Sequence, residues 1–323
     1  MTPFRSRAAL AAVNLMLAAA PGAVAQDYPA RTIRMIVPFA AGGGADAMAR
    51  LVAQRLHQSL GQATVVENRP GAGGNIGAEL VVNSPPDGYT LLFSTASMAV
   101  NRTLYPKLSF DVSKDLAAVS QVSSSGLILT THASVPARTV KELAALSRGM
   151  RGGLNFGTNG AGTTSHLSGM LLSQVARVPL NPVHYKGVAP AMTAVVSGEV
   201  EVALPGVFSG RPHIASGKLR ALAVTTRQKS PVFPELPTLD SMYPGFDISN
   251  WYVLYAPART PQTIISRLHG EVVKTLQQPD VKSFMHQEGS HPVGSSPADT
   301  AVYMKQEVEK FARIIKSAGI TIE

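Results

Sequence analysis

Apolar residues fall in short blocks along most of this chain, and the spacing within them alternates between two periods. The run 32–38 (TIRMIVP) is apolar nearly throughout, as in a strand buried on both faces. Over 45–60 the spacing lengthens, so that Met48, Leu51, Val52, Leu56 and Leu60, with the stem of Arg55, share one helical stripe. The pattern then predicts a strand at 64–67, a helix at 75–82 and a strand at 89–93. The same rhythm restarts with strand 127–130, helix 139–148 and strand 154–157. Helix 164–176, strand 181–184, helix 188–197 and strands 200–204 and 219–225 continue it. A late strand at 251–256 precedes two long helices, 261–277 with Pro261 as its starter and 297–317. Such alternation implies right-handed crossovers and parallel sheets. Between 230 and 245 four prolines (Pro231, Pro234, Pro237, Pro244) disfavour regular structure and suit a crossing between domains.

The first 25 residues follow a different rule. Arg5 and Arg7 precede an apolar stretch over 8–20, and Ala23-Val24-Ala25 follows a Pro21-Gly22 break. That is a secretory leader, with cleavage expected after Ala25, and its apolar run is short for a bilayer span. Arg5-Ser6-Arg7 is not a twin-arginine pair, so export of an unfolded chain is expected.

Composition narrows the classes further. At 323 residues the chain exceeds one ordinary domain, and 45% hydrophobic content is ample for a core. The absence of cysteine excludes disulfides, thiolate zinc sites, a cysteine nucleophile and a lipid anchor on cysteine. The formal charge of +9 falls to +7 without Arg5 and Arg7, and the basic residues are scattered without interleaved aromatics. Nucleic acid is therefore not an expected partner; the charge reads as a mild field favouring anions. The eight histidines show no metal-ligand spacing.

Three glycine-rich segments carry the candidate chemistry. Phe39-Ala40-Ala41-Gly42-Gly43-Gly44-Ala45-Asp46 lies between a strand and a helix, where free amides and the helix dipole attract anions, with Asp46 as a candidate cap. Gly42-x-Gly44-x-x-Ala47, with Glu67 closing the next strand, also imitates a dinucleotide site and makes an exported NAD(P)-dependent oxidoreductase one alternative. Against it, Pro38 and the residues after it separate the strand from Gly42. The second segment, 67–77, reads as a compact turn packed on the first. The third, 157–166, again joins strand to helix and offers Thr158, Asn159, Thr163, Thr164 and Ser165 as polar groups for an anion. Ser165-His166 suggests a hydrolase, but neighbouring helical residues diverge by about 100° and no G-x-S-x-G elbow is present.

Taken together the motifs resemble one family. YPARTIRMIVPFAAGGGAD (28–46), VVENRPGAGGNIGAE (65–79), PDGYTLL (86–92) and NRTLYPKLSFDVSKDLAAVS (101–120) open the match. HYKGVAPA (184–191), GKLRALAVT (217–225), LPTL (236–239) and the closing helices complete it. The chain resembles the periplasmic substrate-binding proteins of tripartite tricarboxylate transporters, the Bug family. The resemblance implies an α/β, two-domain Venus-flytrap fold, each domain a mostly parallel sheet flanked by helices, joined by two crossings. Residues 26–125 plus 247–323 would form domain 1, and 126–246 domain 2 with the hinge crossing.

The resemblance further implies no catalysis and no cofactor or metal. It implies a monomer that captures a di- or tricarboxylate, an acidic amino acid or an aromatic acid for membrane permease subunits. A sensor for a membrane signalling partner is the other role open to such a fold. One carboxylate would sit on Phe39, Ala40, Ala41, Gly42 and Gly43, partly through ordered water, with Asp46 beside it. The remainder would meet Thr158, Asn159, Thr163, Thr164, Ser165 and His166, with Ser94, Ser97, Tyr185 and Lys186 completing the contacts. Some positions depart from the family pattern: His184 replaces a common proline, Glu201 an aspartate, and Val253 a glycine. An acid is missing from 204–207, and Ser241-Met242-Tyr243 replaces a Glu-x-Gly. His184 is read either as a reader of a second anionic group or as a structural cap.

Overall fold

The computed structural model describes residues 28–321; the expected leader at 1–25 lies outside them. Among the described residues eleven strands form two separate sheets. The first has the order β11 (Ser290–Pro292), β4 (Leu116–Gly126), β10 (Ser249–Pro257), β3 (Thr90–Thr95), β1 (Ile33–Val37), β2 (Thr64–Asn68). The second has the order β7 (Leu180–His184), β6 (Leu154–Thr158), β8 (Val202–Ala203), β5 (Ile128–His132), β9 (Leu219–Val224).

In the first sheet β1 (Ile33–Val37) lies parallel between β2 (Thr64–Asn68) and β3 (Thr90–Thr95). Its side chains obey the pleat: Ile33, Met35 and Val37 point to one face, and Ile36 to the other. The first face is covered by α1 (Gly44–Leu60) and α10 (Gln262–Gln277), through Met48, Val52 and Leu56 of one and Ile265, Leu268 and Val272 of the other. The opposite face is covered by α2 (Asn75–Val82), α3 (Ser97–Leu104) and α12 (Pro297–Ser317), whose Phe311 and Ile315 are buried there. Trp251 Nε1 donates to Glu307 Oε2 at 3.0 Å, pinning α12 to the sheet.

In the second sheet β6 (Leu154–Thr158) runs parallel to β7 (Leu180–His184) and β8 (Val202–Ala203). β5 (Ile128–His132) runs antiparallel to β8 and to β9 (Leu219–Val224). One face packs on α5 (Val140–Gly149) and α6 (Thr164–Ala176) through Leu143, Leu167 and Leu172. The other packs on α7 (Val188–Ser197) through Met192 and Val195.

Both sheets are mixed, so strict alternation overstates their parallel share. β10 (Ser249–Pro257) runs antiparallel to β3 and to the long β4 (Leu116–Gly126), and β11 (Ser290–Pro292) runs antiparallel to β4. These strands lead into or out of the other sheet or close the edge, so they enter without a helical crossover. The periodicity also passes over α8 (Val207–Ala215) and α11 (Pro279–Gln287), which follow Gly206 and Gln278.

The chain passes between sheets twice. Leu127 alone separates β4 from β5, and the return runs from Thr225 to Ile248. The two passages are tied at Thr225, which is fully buried. Its Oγ1 accepts from Leu127 N at 2.9 Å and donates to Ile248 O at 2.7 Å. Its amide donates to Leu127 O, and its carbonyl accepts from Ile248 N, both at 3.0 Å. The proline-rich 230–245 stretch is not the passage itself. It folds back along β9, with Val224 N donating to Pro237 O at 3.0 Å and Leu236 buried on Ile128 and Val224. The short α9 (Leu239–Met242) follows.

Candidate functional site

A cavity of about 550 Å³ lies between the sheets and is lined from both. Its walls are built from the beginnings of helices. The first turns of α1, α3, α6, α7 and α8 reach it, and α2 does so through Gly74. At α1, α7 and α8 the N-cap is Gly43, Gly187 or Gly206, and no side chain caps the helix. α2 and α3 follow Gly74 and Ala96, but Asn75 N donates to Ala72 O and Ser97 N to Thr95 Oγ1 at 3.2 Å. α6 is capped by Thr163. Away from the cavity α4 (Val112–Asp115), α5, α9 and α12 are capped by the side chains of Asp111, Thr139, Thr238 and Ser296. α10 and α11 start at prolines. The starts of α1, α7 and α8 thus keep their first amides free and turn their positive dipole ends inward.

The 39–46 loop is held from behind. Asp46 Oδ2 accepts from Gly42 N at 3.0 Å and from Arg50 Nε at 3.1 Å, while its Oδ1 accepts from Asn68 Nδ2 at 3.0 Å. Asn68 Nδ2 also donates to Phe39 O at 3.0 Å. Burial raises the Asp46 carboxyl, but the bonds from Arg50, Gly42 and Asn68 outweigh it and hold the group below its ordinary value. Asp46 is 5% exposed and outside the lining, so it shapes the loop and leaves the amides of Gly44 and Ala45 to the cavity. Phe39, Ala40 and Gly43 line the cavity; Ala41 and Gly42 do not.

The second loop fits against the first. A Cβ on Gly77 would lie 2.8 Å from Pro38 Cβ and 2.9 Å from Arg69 O, so only glycine permits this approach. Asn101 Nδ2 donates to Gly73 O at 2.9 Å and to Asn75 Oδ1 at 2.7 Å, which fixes the turn. Glu67 does not face the cavity. Arg34 donates to it at 2.6 and 3.0 Å and Arg69 at 3.1 Å. The Arg34 bonds lead in driving its carboxyl down to about 2. An acid so engaged is not available to a ribose.

In the third loop Asn159, Thr163 and Thr164 line the cavity, whereas Thr158, Ser165 and His166 support it. Ser165 Oγ donates to Asn159 Oδ1 at 2.6 Å and accepts from Asn159 N at 3.3 Å. His166 Nδ1 accepts from Gly162 N at 3.2 Å, which makes Nε2 the protonated nitrogen of the neutral ring. Burial, with the neighbouring His184, lowers His166 to about 4. Serine and histidine face different partners and form no nucleophile–base pair. His184 takes the structural role: its Nδ1 lies 2.7 Å from Thr158 Oγ1 and its ring meets that of His166 edge-on. Glu201 accepts from Asn155 N at 2.8 Å, and Val253 is buried in β10.

Ser97, Tyr185 and Lys186 line the cavity, and Lys186 is exposed. Tyr185 Oη donates to Glu199 at 2.7 Å; burial first, then Glu199, push its phenol up to about 12. Ser94 is buried in β3 outside the lining. Sequence reasoning missed Gly187 and Gly206, although each repeats the strand–glycine–helix pattern of Gly43. It also missed Asn250, Tyr252, Phe284, Glu288 and Ser290, which long-range folding delivers and no local motif marks. Among the described residues no group of acids and histidines could hold a metal ion. No described helix is long and apolar enough to cross a membrane.

Comparison with known proteins gives a consistent answer. Residues 48–320 match the model of the tripartite tricarboxylate transporter family receptor. BugT of Bordetella pertussis is 35% identical over 320 residues, covering 97% of this chain and 98% of its own. An R. palustris protein solved with adipate superposes with a TM-score of 0.88 at 32% identity, over 91% of this chain and 99% of its own. MatC from Rhodopseudomonas palustris, solved with bound malate, gives 0.84 at 30% identity, over 89% of this chain and 100% of its own. These matches also show the two-domain α/β fold of periplasmic binding proteins and a receptor rather than an enzyme. The chain belongs to the tripartite tricarboxylate transporter receptor family.

Proposed function

We propose that this protein is an extracytoplasmic receptor that captures a small carboxylate between its two sheets and delivers it to the permease subunits of a tripartite transporter. The observation that carries the reading is the set of three uncapped helix starts around one cavity, α1 from one sheet and α7 and α8 from the other. Free amides and helix dipoles converging from both sheets hold an anion without a buried arginine partner. Adipate and malate in the related structures are carboxylates of suitable size. Of the predicted ligand residues, Phe39, Ala40, Gly43, Ser97, Asn159, Thr163, Thr164, Tyr185 and Lys186 are assigned to direct contact. Ala41, Gly42, Asp46, Ser94, Thr158, Ser165 and His166 are assigned to the supporting layer.

Domain 1 is assigned to 26–125 plus 247–323 and domain 2 to 126–246, with a ligand touching both favouring the closed arrangement. The leader pattern over 1–25 supports a working site outside the cytoplasmic membrane, and the mature chain is assigned the role of a freely diffusing monomer. Mass spectrometry of ligand released from the purified protein, followed by thermal unfolding with a panel of carboxylates, tests the reading. A released organic acid that raises the unfolding midpoint is expected; a midpoint moved by NAD and by no carboxylate would refute it.

A further inference from the structure

The lining of the cavity includes two charged side chains, Lys186 and Glu288. An acid is out of place in a pocket for anions, and Glu288 is held there by packing. It follows the last turn of α11, with its amide donating to Phe284 O at 3.0 Å. Gly289 beside it has φ +62°, and a Cβ there would lie 2.5 Å from Val207 Cγ2, so this backbone is wedged against the start of α8. The carboxyl oxygen Oε2 is buried without a hydrogen-bond partner. The Arg211 charge acts on it from nearby, but that guanidinium donates instead to Gln287 O at 3.1 Å. Burial accordingly pushes the Glu288 carboxyl up to about 7.

Tyr252 lies close to the start of α1 and feels the Glu288 charge. The phenol oxygen of Tyr252 is 2.7 Å from where a Cβ on Gly44 would sit, directly under the start of α1. Burial, with a contribution from the Glu288 charge, pushes that phenol up to about 12. Met48, Phe208 and Phe284 supply apolar wall around them. The cavity therefore combines N–H donors at its helix starts with one unmatched acceptor, Glu288. Above about pH 7 Glu288 is ionised and accepts only, so it calls for N–H or O–H from the ligand. A second ligand carboxylate there would meet like charge in a partly dry site.

We propose that ionised Glu288 sets selectivity by accepting from an ammonium or hydroxyl that the ligand carries besides its carboxylate, and by repelling a second carboxylate beside it. The preferred cargo is thus a short organic acid with one carboxylate and an additional donor. This rests on the carboxylate-receptor reading above. Calorimetric titration of the ligand-free protein at about pH 8.5, where Glu288 is ionised, with acids matched in length tests it: the plain fatty acid, its terminally amino- and hydroxy-substituted forms and the diacid, with the corresponding benzoates. The donor-terminated acids are expected to bind the wild type about tenfold or more tighter than the diacid. Glu288→Gln and Glu288→Leu are expected to remove that preference, with the unfolding midpoint confirming that each variant folds. A wild type that prefers the diacid, or a ranking unchanged in both variants, overturns the role of Glu288 alone. Failure of every acid to bind overturns the carboxylate reading with it.

Discussion

Thr225 ties both passages between the sheets, and removing its hydroxyl gives a prediction with a definite size. Thr225→Val keeps the branched shape but leaves the Leu127 amide without its 2.9 Å acceptor and the Ile248 carbonyl without its 2.7 Å donor. Both groups meet at a fully buried side chain. An unsatisfied buried polar group costs about 1–3 kcal/mol, so the pair should cost about 3 kcal/mol. Thr225→Ser keeps the hydroxyl and loses one methyl, a change of about 1 kcal/mol. Urea unfolding of the wild type and the two variants measures the difference. The valine variant should have the lowest midpoint, and small-angle scattering should show weaker ligand-induced compaction for it than for the serine variant. A valine variant as stable as the serine variant would mean that the hydroxyl does not hold the passages together.

Three further outcomes can be checked independently. The His166 ring is lowered from 6.5 to about 4, so the native state binds its proton more weakly than the unfolded chain. That contribution is complete above about pH 6.5 and is lost as pH falls towards 4, about 3 kcal/mol in all at roughly 1.4 kcal/mol per unit. Denaturant unfolding across that range should show the loss, and His166→Gln should flatten it; equal slopes would refute the assignment. Gly44→Ala places a methyl 2.7 Å from the Tyr252 hydroxyl at the start of α1. Ligand affinity should drop about tenfold or more while the unfolding midpoint holds; unchanged affinity in titration would remove Gly44 from the site. Glu307→Ala orphans the buried Trp251 Nε1, and should lower the midpoint by the equivalent of about 2 kcal/mol, with a shifted Trp251 emission as the local signal.

Much of the parallel framework was legible because each unit carries its own local signal. The stripe of Met48, Val52 and Leu56 marks α1, and the apolar 32–38 run marks β1 within a residue at each end. The helices 75–82, 164–176, 188–197 and 297–317 emerge with the expected bounds. β4 was not legible: Ser120, Ser123, Ser124 and Ser125 give it a polar composition, and its burial comes from β10 and β11, which are distant in sequence. α8 was hidden by Pro212 within it. The loops of the candidate site were found through their glycines, but the division between lining and supporting residues was not. Asp46 and Ser165 look like ligand groups in a string of letters; the structure engages them with Gly42 and Asn159. Glu288 gives no signal at all, because its meaning depends on Val207 and Tyr252, each far from it along the chain.

The glycine caps around the cavity have a consequence for how this protein can be mapped. Recognition through main-chain amides is not read by removing side chains, so an alanine scan of the cleft would register a clash at Gly44 but nearly nothing from the amides that hold the anion. The scan would point to the walls, where side chains adjust selectivity. Exchanging a single amide for an ester at Gly44 or Val188 deletes a donor while sparing every side chain, and would reveal what the scan passes over.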